Sequence, residues 1–416
     1  MNDKGTIYLK QLLPLLMLLP SFIFASFSAT IIDSRTLLPI KSAKIIDKGQ
    51  TKFSDRNGTF DIDNKNNTLH IKAYGYRPFS FDSNETNTTI KLESIRVNAL
   101  YLTFWGASNN SKTLKRILNL SKETEVNAVV VDVKNEYGST SFYTSFKQAN
   151  SYGAYKKRTN RNIQKFIKTM KENNIYTIAR IVTFKDELQA SNNPEYALKR
   201  DSNGSIWRNH DKMAWVDPFD ERSHKYTIRI AEEAAKAGFD EINFDYIRFP
   251  AKSGLRFSKE NTQNNRVKAI EKFLDSAKKR LEPYGVFISV NTYGNILWSK
   301  KDDNNIGQML SSLASHSDYI APMLYPSGFA YGSFHFDYPA DHPHAVIYRS
   351  IKNIKKRVDI SRVRPWLQYF KDYTKKRRPY GKFEVQEQIR ATEELNTNGW
   401  MMWSPSSRYH QNYLTK

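Results

Sequence analysis

No cysteine occurs in the 416 residues, which excludes a disulfide framework, a thiolate metal site and a lipidated cysteine. Stability must therefore come from the packed core, and 39% hydrophobic and 13% aromatic residues supply the material for one. Acidic charge is scarce too: 64 Lys and Arg stand against 42 Asp and Glu, a formal charge of +22. Such a surface favours anionic partners, whether acidic polysaccharide, anionic lipid headgroups or nucleic acid, and charge alone does not choose among them. The run Leu12 to Phe27 is apolar, follows Lys4 and Lys10, and has Ser26, Ser28 and Ala29 at its end. That is the pattern of a secretory leader, with cleavage expected after Ser28. Pro14 and Pro20 interrupt the run, and it is short for a membrane span. Residues 1–29 are thus expected to be a signal peptide, or else an uncleaved anchor that associates with the membrane, and the protein to be periplasmic or extracellular. Export and the lack of a recognition motif argue against nucleic acid.

Two textures follow. Residues 30–95 read as short strands: Thr30 to Asp33, Pro39-Ile40, Ala43 to Ile46, Thr51 to Asp55, Asn57 to Ile62, Leu69 to Ala73 and Thr89 to Leu92, punctuated by Asn-Gly and Tyr-Gly-Tyr. Strands this close without helices imply a small β-sandwich. From residue 96 to 416, strand and helix patterns alternate. Strands are expected at 97–104, 126–134, 175–184, 240–247, 286–292, 318–324, 364–370 and 399–403. Helices are expected near 111–123, 160–173, 220–237, 262–282, 305–315, 344–357 and 383–397. Because no Gly-x-Gly-x-x-Gly follows the first strand, a doubly wound nucleotide-binding sheet is disfavoured. The alternation predicts a (β/α)8 TIM barrel preceded by the all-β domain.

The stretch Gly238 to Pro250 carries the strongest chemical signal. As a strand it points Ile242, Phe244 and Tyr246 to one side and Glu241, Asn243 and Asp245 to the other. Burying two carboxylates without partners costs several kcal/mol, so that second face is expected to look into a barrel mouth, with Asp245 at its end as catalytic candidate. The alternative is an ion pair of Asp245 with Arg248 that merely ties a loop. The other strand ends and loops add Asp132 and Glu136, Arg180, Asp186, Trp215, Asn291, Tyr293, Tyr325, Gln368 and Trp403. Aromatic faces bind the apolar side of a pyranose, and amides, carboxylates and arginine bind its hydroxyls. Together with Arg248, and apart from the catalytic candidates Asp132 and Glu136, these are the expected sugar contacts. His335, Asp337, Asp341, His342 and His344 crowd one loop, but without helical His-x-x-x-His spacing and with Pro339 and Pro343 between them they are expected to hold no metal, and no cofactor is expected. The basic clusters Lys156 to Arg158 with Arg161, Lys355 to Arg357 and Lys375 to Arg378 read as solvated faces, unless they converge on the mouth to attract a polyanion.

Two resemblances rest on these residues. Pro39-Ile40, Asp55 to Phe60 and Ala73 to Tyr76 resemble the regulatory-like β-sandwich of carboxypeptidases, which implies an accessory module without chemistry. Asp132 to Lys134, Ala179 to Asp186, Trp215 to Pro218, Phe239 to Pro250, Ile306 to Gln308, Asp318 to Ser327, Arg364 to Gln368 and Gly399 to Ser404 resemble a glycoside-hydrolase barrel family of exported bacterial proteins. The resemblance covers residues 97 to 412 and implies a hydrolase-like (β/α)8 fold acting on polysaccharide, an anionic one included. One departure stands out: Asn291 occupies the place where such proteins are expected to carry an Asp, before Tyr293 and Gly294.

Glycoside hydrolysis needs two carboxyl groups, one as nucleophile or base and one as acid. Asp245 is the expected nucleophile or base. Candidates for its partner are Asp132, Glu136, Asp186, Glu241 and Asp318. Pairing of Asp132 with Lys134 on the same strand face would make it a poor acid. Glu136, just beyond, is expected to titrate nearer neutrality, and Glu241, deeper on its strand, to be structural. Two readings remain: an exported glycoside hydrolase, or a weakened barrel that binds glycan in an envelope assembly without cleaving it, which Asn291 would explain.

Overall fold

The structure, a computed structural model, describes residues 27–62, 68–83 and 88–414. Most of the expected leader, residues 1–26, lies outside the described residues. Its last part does not: a strand runs Phe27–Asp33, because Phe27 is an apolar anchor packed against Phe60 and Phe81 at ring distances of 6.2 and 5.5 Å. That strand pairs with Thr59–Ile62 and Thr89–Leu92, while Gln50–Phe53, Lys44–Asp47, Thr68–Lys72 and Phe79–Asp82 form a second small sheet. Inward residues of both sheets share one core that includes Ile31, Ile45, Leu69, Ile71 and Ile90. Phe79–Asp82 was not expected as a strand, and Pro39 makes only an isolated bridge to Ile32.

The remainder is a closed barrel of parallel strands in sequential order: Val97–Leu102, Ala128–Lys134, Tyr176–Val182, Glu241–Asp245, Phe287–Tyr293, Tyr319–Met323, Trp366–Gln368 and Gly399–Trp403. Helices expected from apolar periodicity surround it, for example Glu221–Ala237, which begins on the Asp220 side-chain cap and ends at Gly238 with φ 101°. Outward strand residues such as Val129, Val131, Ile242 and Phe244 pack under these helices.

The fourth strand shows how the interior is layered. Glu241, at the lower end, meets Arg364 at 2.9 Å and the Tyr176 hydroxyl at 2.9 Å, with both charges fully buried. One level up, the Asn243 amide donates to Ser289 Oγ at 2.8 Å and to Asn291 Oδ1 at 2.9 Å. Asp245 stands at the top. The sandwich covers the opposite, lower end: Lys72 reaches Val286 O at 2.8 Å and Asp318 at 2.9 Å, Gly75 N donates to the Tyr319 hydroxyl at 3.1 Å, and Arg77 to Asn174 O at 2.8 Å. Every barrel residue in those contacts lies at or just before the start of a strand.

Candidate active site

Arg180, pointing inward near the end of the third strand, organises the mouth of the barrel. Its Nε donates to Asp245 Oδ2 at 2.7 Å, its Nη1 to Asp132 Oδ1 at 2.5 Å and its Nη2 to Glu136 Oε1 at 3.0 Å. The guanidinium lies 5.2 Å from the Trp403 ring, which in turn stacks on Tyr101 at 4.0 Å. The Tyr101 hydroxyl donates to Asp132 Oδ2 at 3.1 Å. One buried cation thus faces three carboxylates, so the cluster is anionic whenever more than one of them is ionised.

The three carboxyls differ in setting. Asp132 is pushed up to about 6 by burial, against the pull of Arg180. Glu136 is also penalised by burial, but Arg180 and hydrogen bonds outweigh that and hold it below the usual glutamate range. This reverses the sequence expectation, and the reason lies in Lys134. A register shift between strands two and three, at Arg180/Asp132 and Ile181/Lys134, accompanies a redirected lysine. Lys134 does not pair with Asp132; its Nζ bonds Val182 O at 2.5 Å and Asp186 at 2.8 Å, all within the interior.

Asp245 does not pair with Arg248 either. Its Oδ1 accepts the Tyr246 N–H at 2.7 Å, and Tyr246 adopts a left-handed φ of 48°, unusual for an aromatic residue. Asp245 and Glu136 both face a cavity of ≈ 350 Å³ lined also by Tyr246, Arg248, Tyr293, Met323, Tyr325, Tyr373 and Trp403. Arg180 Nη2 lies 2.7 Å from Asp245 Oδ2 and 3.0 Å from Glu136 Oε1, so those oxygens are closer than the ~6.5 Å at which inverting enzymes begin to admit a water between their carboxyls.

Other expected site residues lie elsewhere. Asp186 caps the helix Glu187–Asn192 and neutralises Lys134, fully buried. Gln368 is spent on Ser327, through its N–H and Oγ, and on Phe370 O. Asn291 sits below the cavity floor, where Trp366 Nε1 donates to its Oδ1 at 2.7 Å alongside Asn243. Since Asn291 does not line the cavity, its difference from an Asp leaves the Asp245–Glu136 pair intact. Asp318, a candidate partner, is at the opposite end of the barrel on Lys72. Trp215 lines a second cavity that adjoins the first through Arg248 and Tyr293. In the histidine-rich loop, His342 stacks on Phe336 at 3.9 Å and His344 pairs with Glu394 at 3.1 Å, and no metal-binding cluster occurs among the described residues. Sequence reasoning missed Tyr101, Tyr246 and Tyr373. Tyr101 carried a signal, since it alternates inward with Val97 and Ala99 along the first strand; Tyr373 carried none.

Residues 99–409 match the family described as "Putative glycosyl hydrolase domain". The chain belongs to that family. No curated protein matches it. Among solved structures, a hypothetical protein from Ruminiclostridium thermocellum is 36% identical over 46% of this chain and 96% of its own, with a TM-score of 0.40. The PgaB (BpsB) glycoside hydrolase domain from Bordetella bronchiseptica is 12% identical, covering 77% of this chain and 99% of its own at TM-score 0.53. An alpha-L-fucosidase from Paenibacillus thiaminolyticus gives 12% identity, 77% and 48% coverage and TM-score 0.52. Family and fold are those of a glycan-acting hydrolase.

Proposed function

We propose that the protein is an exported glycoside hydrolase that cleaves a polysaccharide of a bacterial surface or matrix with retention of configuration. The observation that carries this reading is the placement of Asp245 and Glu136 on one guanidinium nitrogen, facing one aromatic-lined cavity. Export rests on the leader pattern of Leu12 to Phe27 alone.

In this reading Asp245 attacks the anomeric carbon while Glu136 hands to the departing glycosidic oxygen the one proton that the cluster retains, held at rest on Asp132. The products of that step are a glycosyl ester on Asp245 and a released alcohol. Glu136, now a carboxylate, takes a proton from water, which attacks the same carbon and frees Asp245. Arg180 orients both carboxylates, and Asp132 with Tyr101 fixes Arg180 from behind. Positive charge developing on the sugar ring meets an anionic cluster, which favours the transition state over the neutral ground state. Tyr325, Tyr293 and Trp403 supply faces for the sugar ring.

Reducing-end release from a panel of bacterial surface polysaccharides tests this with residues 27–416 and the D245N and E136Q chains. The parent is expected to release ends; D245N, which keeps the side chain's size and a bond to Arg180, is expected to lose at least ~10³-fold, more than 4 kcal/mol of transition-state stabilisation. Release by D245N at the parent rate would sink the assignment. Azide added to Asp245→Ala should give a glycosyl azide of inverted configuration, and to Glu136→Ala one of retained configuration.

A further inference from the structure

Next to the cavity that holds Asp245 and Glu136 lies a second one without a carboxylate. It measures ≈ 670 Å³ and is lined by Arg200, Arg208, His210, Arg248 and Lys252 with Trp207 and Trp215, and by no carboxylate. Two of these side chains are already engaged from outside it: Arg208 pairs with Glu187 at 2.6 Å and His210 lies 2.8 Å from Asp211. Arg248 is different. Its guanidinium lies 5.2 Å from the Trp215 ring and 5.4 Å from Tyr246, donates to Phe249 O at 3.2 Å, and forms no ion pair among the described residues. Asp245 is near enough to act on it electrostatically, but burial dominates and draws its pKa below the usual arginine value. A half-buried guanidinium costs free energy unless an anion meets it, and its planar fork, placed between the Trp215 and Tyr246 rings, suits bidentate recognition of a carboxylate, sulfate or phosphate. Arg248 and Tyr293 line both cavities, so a ligand group on Arg248 lies beside the reacting sugar.

We propose that this second cavity is a subsite for an anionic sugar, whose charged substituent binds Arg248 with Arg200 and Lys252 at the rim, so that the substrate class is an acidic polysaccharide cleaved at the neighbouring residue. The proposal rests on the glycosidase reading and narrows it. The contrast between the two cavities sets the register: carboxylates line the first, Asp245 and Glu136 beside Arg180 and Arg248, and none lines the second, so an acidic ring is better met in the adjacent cavity than at the reacting position. The basic clusters noted in the sequence play no part, since none of their residues lines either cavity.

The test reads binding apart from cleavage, using the D245N chain. Affinity is measured for polygalacturonate against its carboxyl-reduced form, and for dextran sulfate against dextran, with and without R248M. A preference for the acidic member of at least tenfold is expected, falling by at least fivefold in R248M and less in R248K. Preference confined to the first pair assigns a uronate, and preference confined to the second an ester. R200Q/K252Q, which alters exposed rim residues only, should lower the same ratio if R248M does not fold. A preference that survives R248M and R200Q/K252Q would trace to the general surface charge and overturn the subsite, as would equal binding of acidic and neutral polymers. Arg248-dependent binding without reducing-end release by the parent chain would leave the subsite standing and reject the hydrolase. Release from neutral polymers alone would do the reverse.

Discussion

Asp132, inside the second strand, and Glu136, just beyond its end, are both drawn down by the same guanidinium, yet burial prevails at Asp132 and not at Glu136. Below about 6 the cluster retains a proton, which rests on Asp132 because burial penalises its charge. General acid catalysis by Glu136 needs that proton. The rate constant kcat/KM is therefore expected to fall by about tenfold per pH unit above an inflection near 6. In Asp132→Asn the neighbouring negative charge disappears while Arg180 remains, so Glu136 should ionise more readily and the inflection move to lower pH by at least ~1 unit. A pH–rate profile of the two chains decides this; an inflection that stays in place would remove Asp132 from the proton inventory. Arg180 itself was legible as a polar residue near the end of the third strand. That it would gather three carboxylates was not, because this depends on how three strands come together around the barrel.

At the scale of the element, the fourth strand was almost fully legible. A period of two with Glu241, Asn243 and Asp245 on one side predicts a lined interior, and the structure places the three at successive levels. The lowest level bears on stability. Glu241→Gln would leave Arg364 buried with its charge unpaired, an expected loss of about 3–5 kcal/mol, measurable in denaturant unfolding; a loss below ~1 kcal/mol would mean that water enters the barrel floor. The second strand was misread at the same resolution, since same-face spacing placed Lys134 on Asp132. Spacing along one strand carries no information about a register shift in its neighbour, and that shift goes with the pairing of Lys134 with Asp186. Gln368 and Asn291 were misassigned for a related reason: an amide at a strand end suits a sugar hydroxyl and a buried backbone group equally well, and only the neighbours decide.

Across the whole molecule, the sandwich and the barrel meet through charges as well as rings. Lys72, from the Thr68–Lys72 strand of the sandwich, makes a buried ionic bond to the barrel floor, beside the pair of Lys44 with Glu282. Lys72→Met should strand Asp318, with an expected cost of about 3 kcal/mol and a lower melting temperature. The kinetics of cleavage should be unchanged, since Asp245 and Glu136 stand at the other end of the barrel; a change in kcat would show that the floor and the mouth are coupled. The sandwich was expected as a stabilising or adhesive accessory module without chemistry. Its polar residues satisfy barrel groups, which makes it part of the barrel's lower surface.

That cover gives the molecule a direction. A tether attached ahead of Phe27 would take hold of the sandwich, and the sandwich sits on the closed end. A tether there would work like the stalk of a cup, turning the rim away from the attachment surface and toward polymer arriving from the surroundings, with the rim's reach set by the height of sandwich and barrel together.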